Sequence, residues 1–264
     1  MKRAIYQVDA FASERFKGNP AAVVVLHRGD DWPADGLLLS VAKENNLSET
    51  AYVRPEGAEL HLRWFTPSTE IELCGHATLA TAFVLIDILD NEADHVTFQT
   101  LSGELEVVRN GDVFTLDFPA RPPQDETEVP GLVEALGRTP TALLGGRYPM
   151  AVYESERDIR AIVPDMQRLA ALPVHGAIVT APGEEIDFVS RFFAPGIGVP
   201  EDPVTGSTHT TLIPFWSERL GKSDLIARQL SERGGELRCS ARGDRVGIGG
   251  RAVLFLEGQI ELAW

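Results

Sequence analysis

Three polar side chains in this sequence occupy positions from which they could move a proton. Glu49 follows a short polar turn and stands directly before a strand-like segment. His76 begins an apolar helical segment, and Asp202 lies in a turn before a proline. Carboxylates and imidazoles exchange protons in general acid–base catalysis. Glu49, His76 and Asp202 are therefore candidate catalytic residues. Each also suits a non-catalytic role: an exposed loop acid at Glu49, a solvent-facing histidine at His76, and an acceptor of backbone N–H groups at Asp202.

Two glycine turns, each followed by a helical segment, are suited to holding an anion. One turn contains Gly75 beside His76, and the other contains Thr205, Gly206 and Ser207. Backbone N–H groups at the start of a helix are unpaired, and a glycine lets a ligand approach them closely. We predict that these two turns bind the carboxylate of a small substrate.

The elements that must position these residues occur twice along the chain, in the same order. Four matches carry this repeat: residues 63–67 with 191–195 at a shift of 128, 75–76 with 206–207 at 131, and both 103–105 with 235–237 and 110–112 with 242–244 at 132. Four ordered matches with so little drift indicate duplication. Aligning Ala51 with Ala177 additionally places His175 opposite Glu49.

The repeat predicts an α+β fold with two pseudo-symmetric domains. Each domain is expected to wrap a curved, mostly antiparallel sheet around one apolar helix that is unstable alone. The predicted domains span residues 1–120 and 121–264, and the last strand is assigned to the second domain or packs with the first. Facing halves would form a cleft in which both glycine turns meet one ligand.

Composition narrows the classes of partner. The chain has 264 residues, 44% of them hydrophobic, and a net charge of -15. Nucleic acids and acidic membrane surfaces require a basic face, so neither is expected as a partner. Only two cysteines are present and no leader segment is recognised, which favours a cytoplasmic protein. The histidines show no metal-ligand spacing and no dinucleotide motif follows a strand, so neither a metal nor a cofactor is expected.

Several short motifs make the chain resemble the PhzF family, named for a phenazine-biosynthesis isomerase. They are DAF at 9–11, GNPAAV at 18–23, NLSET at 46–50, FTP at 65–67, CGHAT at 74–78, EDPVTGS at 201–207 and QLSERGG at 229–235. The resemblance implies the wider diaminopimelate-epimerase-like fold, in which two similar domains each place a long central helix inside a curved sheet. It further implies a site between the domains, no cofactor and a homodimer. It also implies that the glutamate of the NLSE motif, here Glu49, is the acid/base. Asn19 is expected to shape its loop and contact substrate.

The chain differs from the two-thiol racemases of the wider fold, which place one cysteine before each glycine turn. Here the first position holds Cys74, but its counterpart is Thr205, and a hydroxyl is a much weaker acid than a thiol. We therefore expect a cofactor-independent isomerase acting on a small carboxylate-bearing, cyclic or amino-acid-like metabolite. The alternatives are a one-thiol epimerase or dehydratase that uses Cys74, and a non-catalytic protein that binds small acids.

Two further positions, one histidine and one proline, lie in the second helical segment. His209 lies on the helical side of the second glycine turn and is interpreted as a packing or solvent-facing residue. Pro214 follows within the same helical segment, and is expected to kink that helix or end it early.

Overall fold

The computed structural model describes residues 2–89 and 92–262, and it divides into two compact units. Unit 1 consists of Met1–Asp117 and Gly249–Trp264, and unit 2 of Phe118–Ile248. Both units contain a mixed sheet and helices, so the predicted α+β class is confirmed. No described helix has the length and apolar character needed to cross a membrane.

The elements up to residue 119 are β1 (Lys2–Ala10), β2 (Asn19–Val25), α1 (Asp35–Asn45), β3 (Glu49–Glu56), β4 (Glu59–Phe65), β5 (Glu70–Ile71), α2 (Gly75–Phe83), β6 (His95–Thr100), β7 (Gly103–Asn110) and β8 (Val113–Pro119). Helix α2 continues as a π-helical segment, Val84–Leu89. The remaining elements are α3 (Leu132–Leu136), β9 (Ala142–Leu144), β10 (Met150–Val152), α4 (Glu156–Ala161), α5 (Met166–Ala170), β11 (Ala177–Pro182), β12 (Phe188–Phe193), α6 (Gly206–Leu220), β13 (Asp224–Gln229), β14 (Gly235–Arg242), β15 (Arg245–Gly250) and β16 (Ala252–Glu261).

The strands of the two units follow the same internal pattern. In unit 1 the strand order is β16-β1-β2-β3-β4-β6-β7-β8, with parallel pairs at β2/β3 and β4/β6. In unit 2 the order is β15-β14-β13-β12-β11-β10-β9, with parallel pairs at β10/β11 and β12/β13. The parallel pairs fall at corresponding places, so each unit repeats one supersecondary plan, as the sequence matches predict.

Helix α2 is the centre of unit 1. Every residue from His76 to Ala82 is buried, and the helix packs against β1, β2, β3, β7 and β16. Its two inner threonines are tolerated because Thr78 Oγ1 donates to the Cys74 carbonyl and Thr81 Oγ1 to the Ala77 carbonyl. A helix that is buried on all sides must be covered by other elements, because it has no polar face to expose to solvent.

Helix α6 continues past Pro214, so the expected early end of the helix is wrong. The helix runs unbroken from Gly206 to Leu220 with Pro214 inside it. A proline has no N–H, so the carbonyl four residues earlier, that of Thr210, loses its helical partner. The backbone N–H of Arg121 donates to this carbonyl at 2.9 Å. The helix therefore continues because a segment outside it supplies the missing hydrogen bond.

Strand register also corrects the alignment of His175 with Glu49. Phe65 pairs with Thr50, and its repeat partner Phe193 pairs with Ala177. The residue before Ala177 is glycine, so Glu49 corresponds to Gly176 and the alignment was wrong by one position. A Cβ atom on Gly176 would lie 2.5 Å from the Phe192 ring, so unit 2 has no room for a side chain there.

We predict that Gly176→Ala lowers the free energy of unfolding by about 1–3 kcal/mol, because the new methyl group overlaps the Phe192 ring and the Phe193 carbonyl. Urea denaturation measures the change. Gly36→Ala is the control: nothing lies within 4 Å of its added Cβ, and its effect should stay within about 1 kcal/mol. Equal stability of Gly176→Ala and the parent protein would show that the position is not sterically closed.

Candidate active site

Glu49 and His76 come together inside unit 1. Glu49 is the first residue of β3 and His76 the second residue of α2. Glu49 Oε2 and His76 Nε2 are 3.1 Å apart, and the side chains are only 15% and 7% exposed. In the described structure neither atom makes a hydrogen bond of acceptable geometry, although the distance allows an ion pair. Both atoms therefore have hydrogen-bonding capacity that the described residues do not use.

The other ring nitrogen of His76 faces Asn19 and Cys74. Asn19 Nδ2 lies 3.3 Å and Cys74 Sγ 3.5 Å from His76 Nδ1. Burial by itself lowers the pKa of His76, but a Cys74 thiolate and the Glu49 carboxylate would together raise that pKa well above its usual value. The imidazole is therefore held between two groups that both influence its protonation.

Cys74 is a buried free thiol that precedes α2. Burial, and then the charge of Glu49, raise the pKa of this thiol, while His76 acts in the opposite direction. A raised pKa leaves the sulfur as a neutral thiol, whereas a catalytic base needs the thiolate. This environment argues against Cys74 as the base of a one-thiol reaction.

Glu49, Cys74 and His76 are also the one group of metal-ligand types that the described residues bring close together. One atom of each lies within 4.8 Å of the others. The nearest pairs, however, use different ring nitrogens, because Cys74 approaches Nδ1 and Glu49 approaches Nε2. An imidazole binds a single ion through one nitrogen, and the thiol is protonated. The donors therefore suit proton transfer better than a metal ion.

Unit 2 holds the second predicted cluster, in which Asp202 and Thr205 form part of one hydrogen-bonded network. Thr205 Oγ1 donates to Asp202 Oδ2 at 2.5 Å. Gln229, which is completely buried, accepts from the Thr205 backbone N–H at 2.9 Å and donates to the Asp202 carbonyl at 2.7 Å. The turn before α6 is thus fixed in shape by a side chain from β13.

Neither of the two glycine helices has a side-chain cap. Gly75 is the first residue of α2 and follows Cys74, and Gly206 and Ser207 are the first residues of α6 and follow Thr205. In both cases the residue before the helix makes no side-chain hydrogen bond to its first turn. Uncapped N–H groups with a helix dipole behind them favour an anion.

The predicted residues therefore form two groups. Asn19, Glu49, Gly75 and His76 lie in unit 1, and Asp202, Thr205, Gly206 and Ser207 lie in unit 2. Sequence reasoning missed the supporting residues Ser48 and Gln229, which stand inside the NLSET and QLSERGG motifs and whose polar side chains were the available signal. The predicted cleft between the halves, the shared ligand, the homodimer and the cytoplasmic location stay predictions.

The family follows from comparison with known proteins. A family model described as "Phenazine biosynthesis-like protein" (PhzC-PhzF) matches residues 8–258. The chain belongs to this family. It is 50% identical over 262 residues to an uncharacterized isomerase of Pseudomonas aeruginosa, covering 99% of this chain and 100% of that protein.

Solved structures agree with this family assignment. A PhzF-family protein of Enterococcus faecalis matches with a TM-score of 0.95 and 46% identity, over 99% of this chain and 100% of that one. A hydroxyproline epimerase of Agrobacterium vitis shares the fold with a TM-score of 0.59 and 13% identity, over 98% and 92%. The predicted epimerase-like fold is confirmed, and the chain is an isomerase of the PhzF family.

His209 lies at the start of α6 as a packing residue, one of the two interpretations offered by the sequence. It is fully buried, and its Nδ1–H donates to the Thr205 carbonyl at 2.8 Å. Its ring also lies beside Phe188, with centroids 5.9 Å apart. Burial lowers the pKa of His209 to about 4. The ring is therefore neutral in the folded protein near neutral pH.

This shift predicts a loss of stability in acid. The unfolded chain has a histidine pKa of about 6.5 and takes up the proton first, so the stabilisation by His209 is complete above that pH and disappears as pH falls toward about 4. Between pH 7.5 and 5 the parent protein should lose about 2 kcal/mol more than His209→Asn, which keeps an N–H for the Thr205 carbonyl.

Urea denaturation at the two pH values measures this difference. His175→Asn, at an exposed position, is the matched control and should follow the parent protein. If His209→Asn showed the same pH dependence as the parent, buried His209 would not be the source of the acid sensitivity.

Proposed function

We propose that this PhzF-family enzyme is a cofactor-independent isomerase that moves a proton on a small carboxylate-bearing, cyclic or amino-acid-like metabolite. The observation that carries the proposal is the Glu49–His76 pair, whose facing atoms are 3.1 Å apart, buried and without a well-formed hydrogen bond. A general base must lie within hydrogen-bond reach of its proton, and an atom without a partner is free to take one.

In the proposed reaction the Glu49 carboxylate removes a proton from a carbon atom that the substrate's own conjugated or carboxylate group activates. The C–H bond breaks, its electron pair moves into the conjugated system, and the proton bonds to a Glu49 oxygen. Glu49 then returns the proton to a different carbon atom of the same molecule. His76, beside the carboxylate, orients the substrate and receives part of the developing charge through its Nε2 side.

The substrate class is inferred from the anion-binding character of the two helix starts. Uncapped N–H groups at Gly75 suit a carboxylate, and the first turn of α6 offers the same groups beside the Asp202–Thr205 network. A carboxylate at Asp202 also suits an amine or hydroxyl group. These features support a small amino-acid-like compound as the substrate. The net charge of -15 does not prevent binding of its carboxylate, because a helix start attracts an anion over a short range.

We predict that Glu49→Gln lowers proton exchange on a verified substrate by about 10²–10⁴-fold, because the amide has the same shape but cannot take a proton. A thermal-shift screen of metabolite carboxylates identifies ligands, and proton NMR in heavy water measures exchange for each hit. The control is Glu44→Gln at the exposed end of α1, which should exchange at the parent rate. Undiminished exchange in Glu49→Gln would exclude Glu49 as the acid/base.

The one-thiol alternative is favoured by one observation, the 3.5 Å approach of Cys74 Sγ to His76 Nδ1. The raised pKa of the thiol opposes it. We predict that Cys74→Ser retains most of the proton exchange that Glu49→Gln loses, measured in the same heavy-water assay. The opposite result, exchange lost in Cys74→Ser and kept in Glu49→Gln, would make Cys74 the base.

A non-catalytic role predicts a third pattern. Small acids would then raise the unfolding temperature of the protein, but none of them would exchange a proton with solvent. That outcome across all stabilising compounds would contradict the proposed isomerase and support a small-acid-binding protein.

A further inference from the structure

Asn19 connects the two segments that carry the proposed acid–base pair. It is the first residue of β2 and is completely buried. Its Oδ1 accepts a hydrogen bond from Ser48 Oγ at 3.3 Å, and its Nδ2 faces His76 Nδ1, also at 3.3 Å. Ser48 directly precedes Glu49 in the chain. One buried amide therefore contacts the loop that presents Glu49 and the ring that lies beside it.

The two nitrogen atoms of the His76 ring face different kinds of hydrogen-bonding group. Two donors, the Asn19 amide N–H and the neutral Cys74 thiol, approach Nδ1. An acceptor, the Glu49 carboxylate, approaches Nε2. A neutral imidazole has one nitrogen that donates and one that accepts. Only the tautomer with its proton on Nε2 matches all three neighbours.

We propose that Asn19 is a positioning residue that holds His76 as a neutral imidazole protonated on Nε2. The Nε2–H then points to the side where Glu49 and an incoming substrate oxygen would accept it. This inference rests on the proposed function for its catalytic meaning. The protonation state itself is a property of the resting enzyme and does not require turnover.

The amide acts against the charges that surround the ring. The titratable groups that face His76 are Glu49 from β3 and Cys74 before α2, while β2 contributes the uncharged Asn19. Burial lowers the pKa of His76, whereas negative charges on Cys74 and Glu49 would together raise it well above its usual value. Because burial keeps Cys74 as a neutral thiol, the contribution of a Cys74 charge is absent and the Glu49 carboxylate alone favours an imidazolium. An imidazolium would also place an Nδ1–H directly against the Asn19 N–H group, so the amide orientation adds a cost to the charged ring. Replacing the Asn19 NH₂ group with an oxygen atom would turn this unfavourable contact between two donors into a favourable one.

Asn19→Asp makes that change at constant shape, replacing the NH₂ donor with an oxygen acceptor. Nitrogen-15 NMR of histidine-labelled protein reports which ring nitrogens carry a proton, and the His76→Gln spectrum assigns the signal. We expect the parent protein near pH 7 to show one proton, on Nε2. In Asn19→Asp both nitrogens should be protonated at the same pH, and kcat should fall on the order of 10²-fold with a smaller change in KM.

Two further variants separate this role from a structural one. Asn45→Asp is the matched control, because its amide faces Thr50 Oγ1 at 3.0 Å and does not contact His76. It should leave the His76 signals unchanged. Ser48→Ala keeps the Asn19 amide and should retain the Nε2 proton. If Asn19→Asp does not fold, the parent protein and Ser48→Ala still decide the tautomer.

The inference is overturned if the parent enzyme shows the proton on Nδ1 or protons on both nitrogens near pH 7. It is also overturned if a folded Asn19→Asp gives parent-like His76 signals. Failure of the proposed function would give a different result. In that case Glu49→Gln would keep full proton exchange, while the NMR spectrum of the parent protein would still show the Nε2 tautomer.

Discussion

Burial of helix α2 from His76 to Ala82 is the constraint on which unit 1 depends. The helix is buried on every side, and a helix of nine residues has little stability of its own in water. The sheet must therefore surround it, and this cover draws the start of the helix into the interior as well. Cys74 and His76 arrive there with polar groups that cannot remain unpaired. Asn19 from β2 approaches His76 Nδ1 and Glu49 from β3 approaches His76 Nε2, so the same packing that stabilises the unit also assembles its polar cluster.

Duplication explains the scaffold, and divergence between the copies explains the chemistry. Both units repeat one order of parallel and antiparallel strand pairs around a glycine-started helix. At the site they differ at three corresponding positions. Glu49, Cys74 and His76 in unit 1 correspond to Gly176, Thr205 and Ser207 in unit 2. The closed space at Gly176 shows that this asymmetry extends to the backbone packing, because no side chain could return there without moving Phe192.

Most of the fold was predictable from periodicity and spacing, because strands and glycine-started helices leave local signals. The starts of α2 and α6 fall where the two glycine turns predict them. Hydrogen bonds supplied by segments distant in the chain were not predictable. The continuation of α6 through Pro214 depends on the N–H of Arg121, which is 89 residues away from Thr210 in the chain. The exact partner of Glu49 in the repeat required strand register, since the matching residue is a glycine with no side chain to recognise.

The candidate site was predictable as a set of residues but not as an arrangement. Motifs identified Glu49 and His76, and only the packing of β2, β3 and α2 shows that they meet while Asn19 lies behind the ring. That arrangement has a consequence for the proposed chemistry. When a proton moves from carbon to Glu49, negative charge moves from the carboxylate to the substrate. A neutral His76 with its proton on Nε2 can follow that charge from one acceptor to the other without changing its own protonation state, so the buried cluster gains no additional charge.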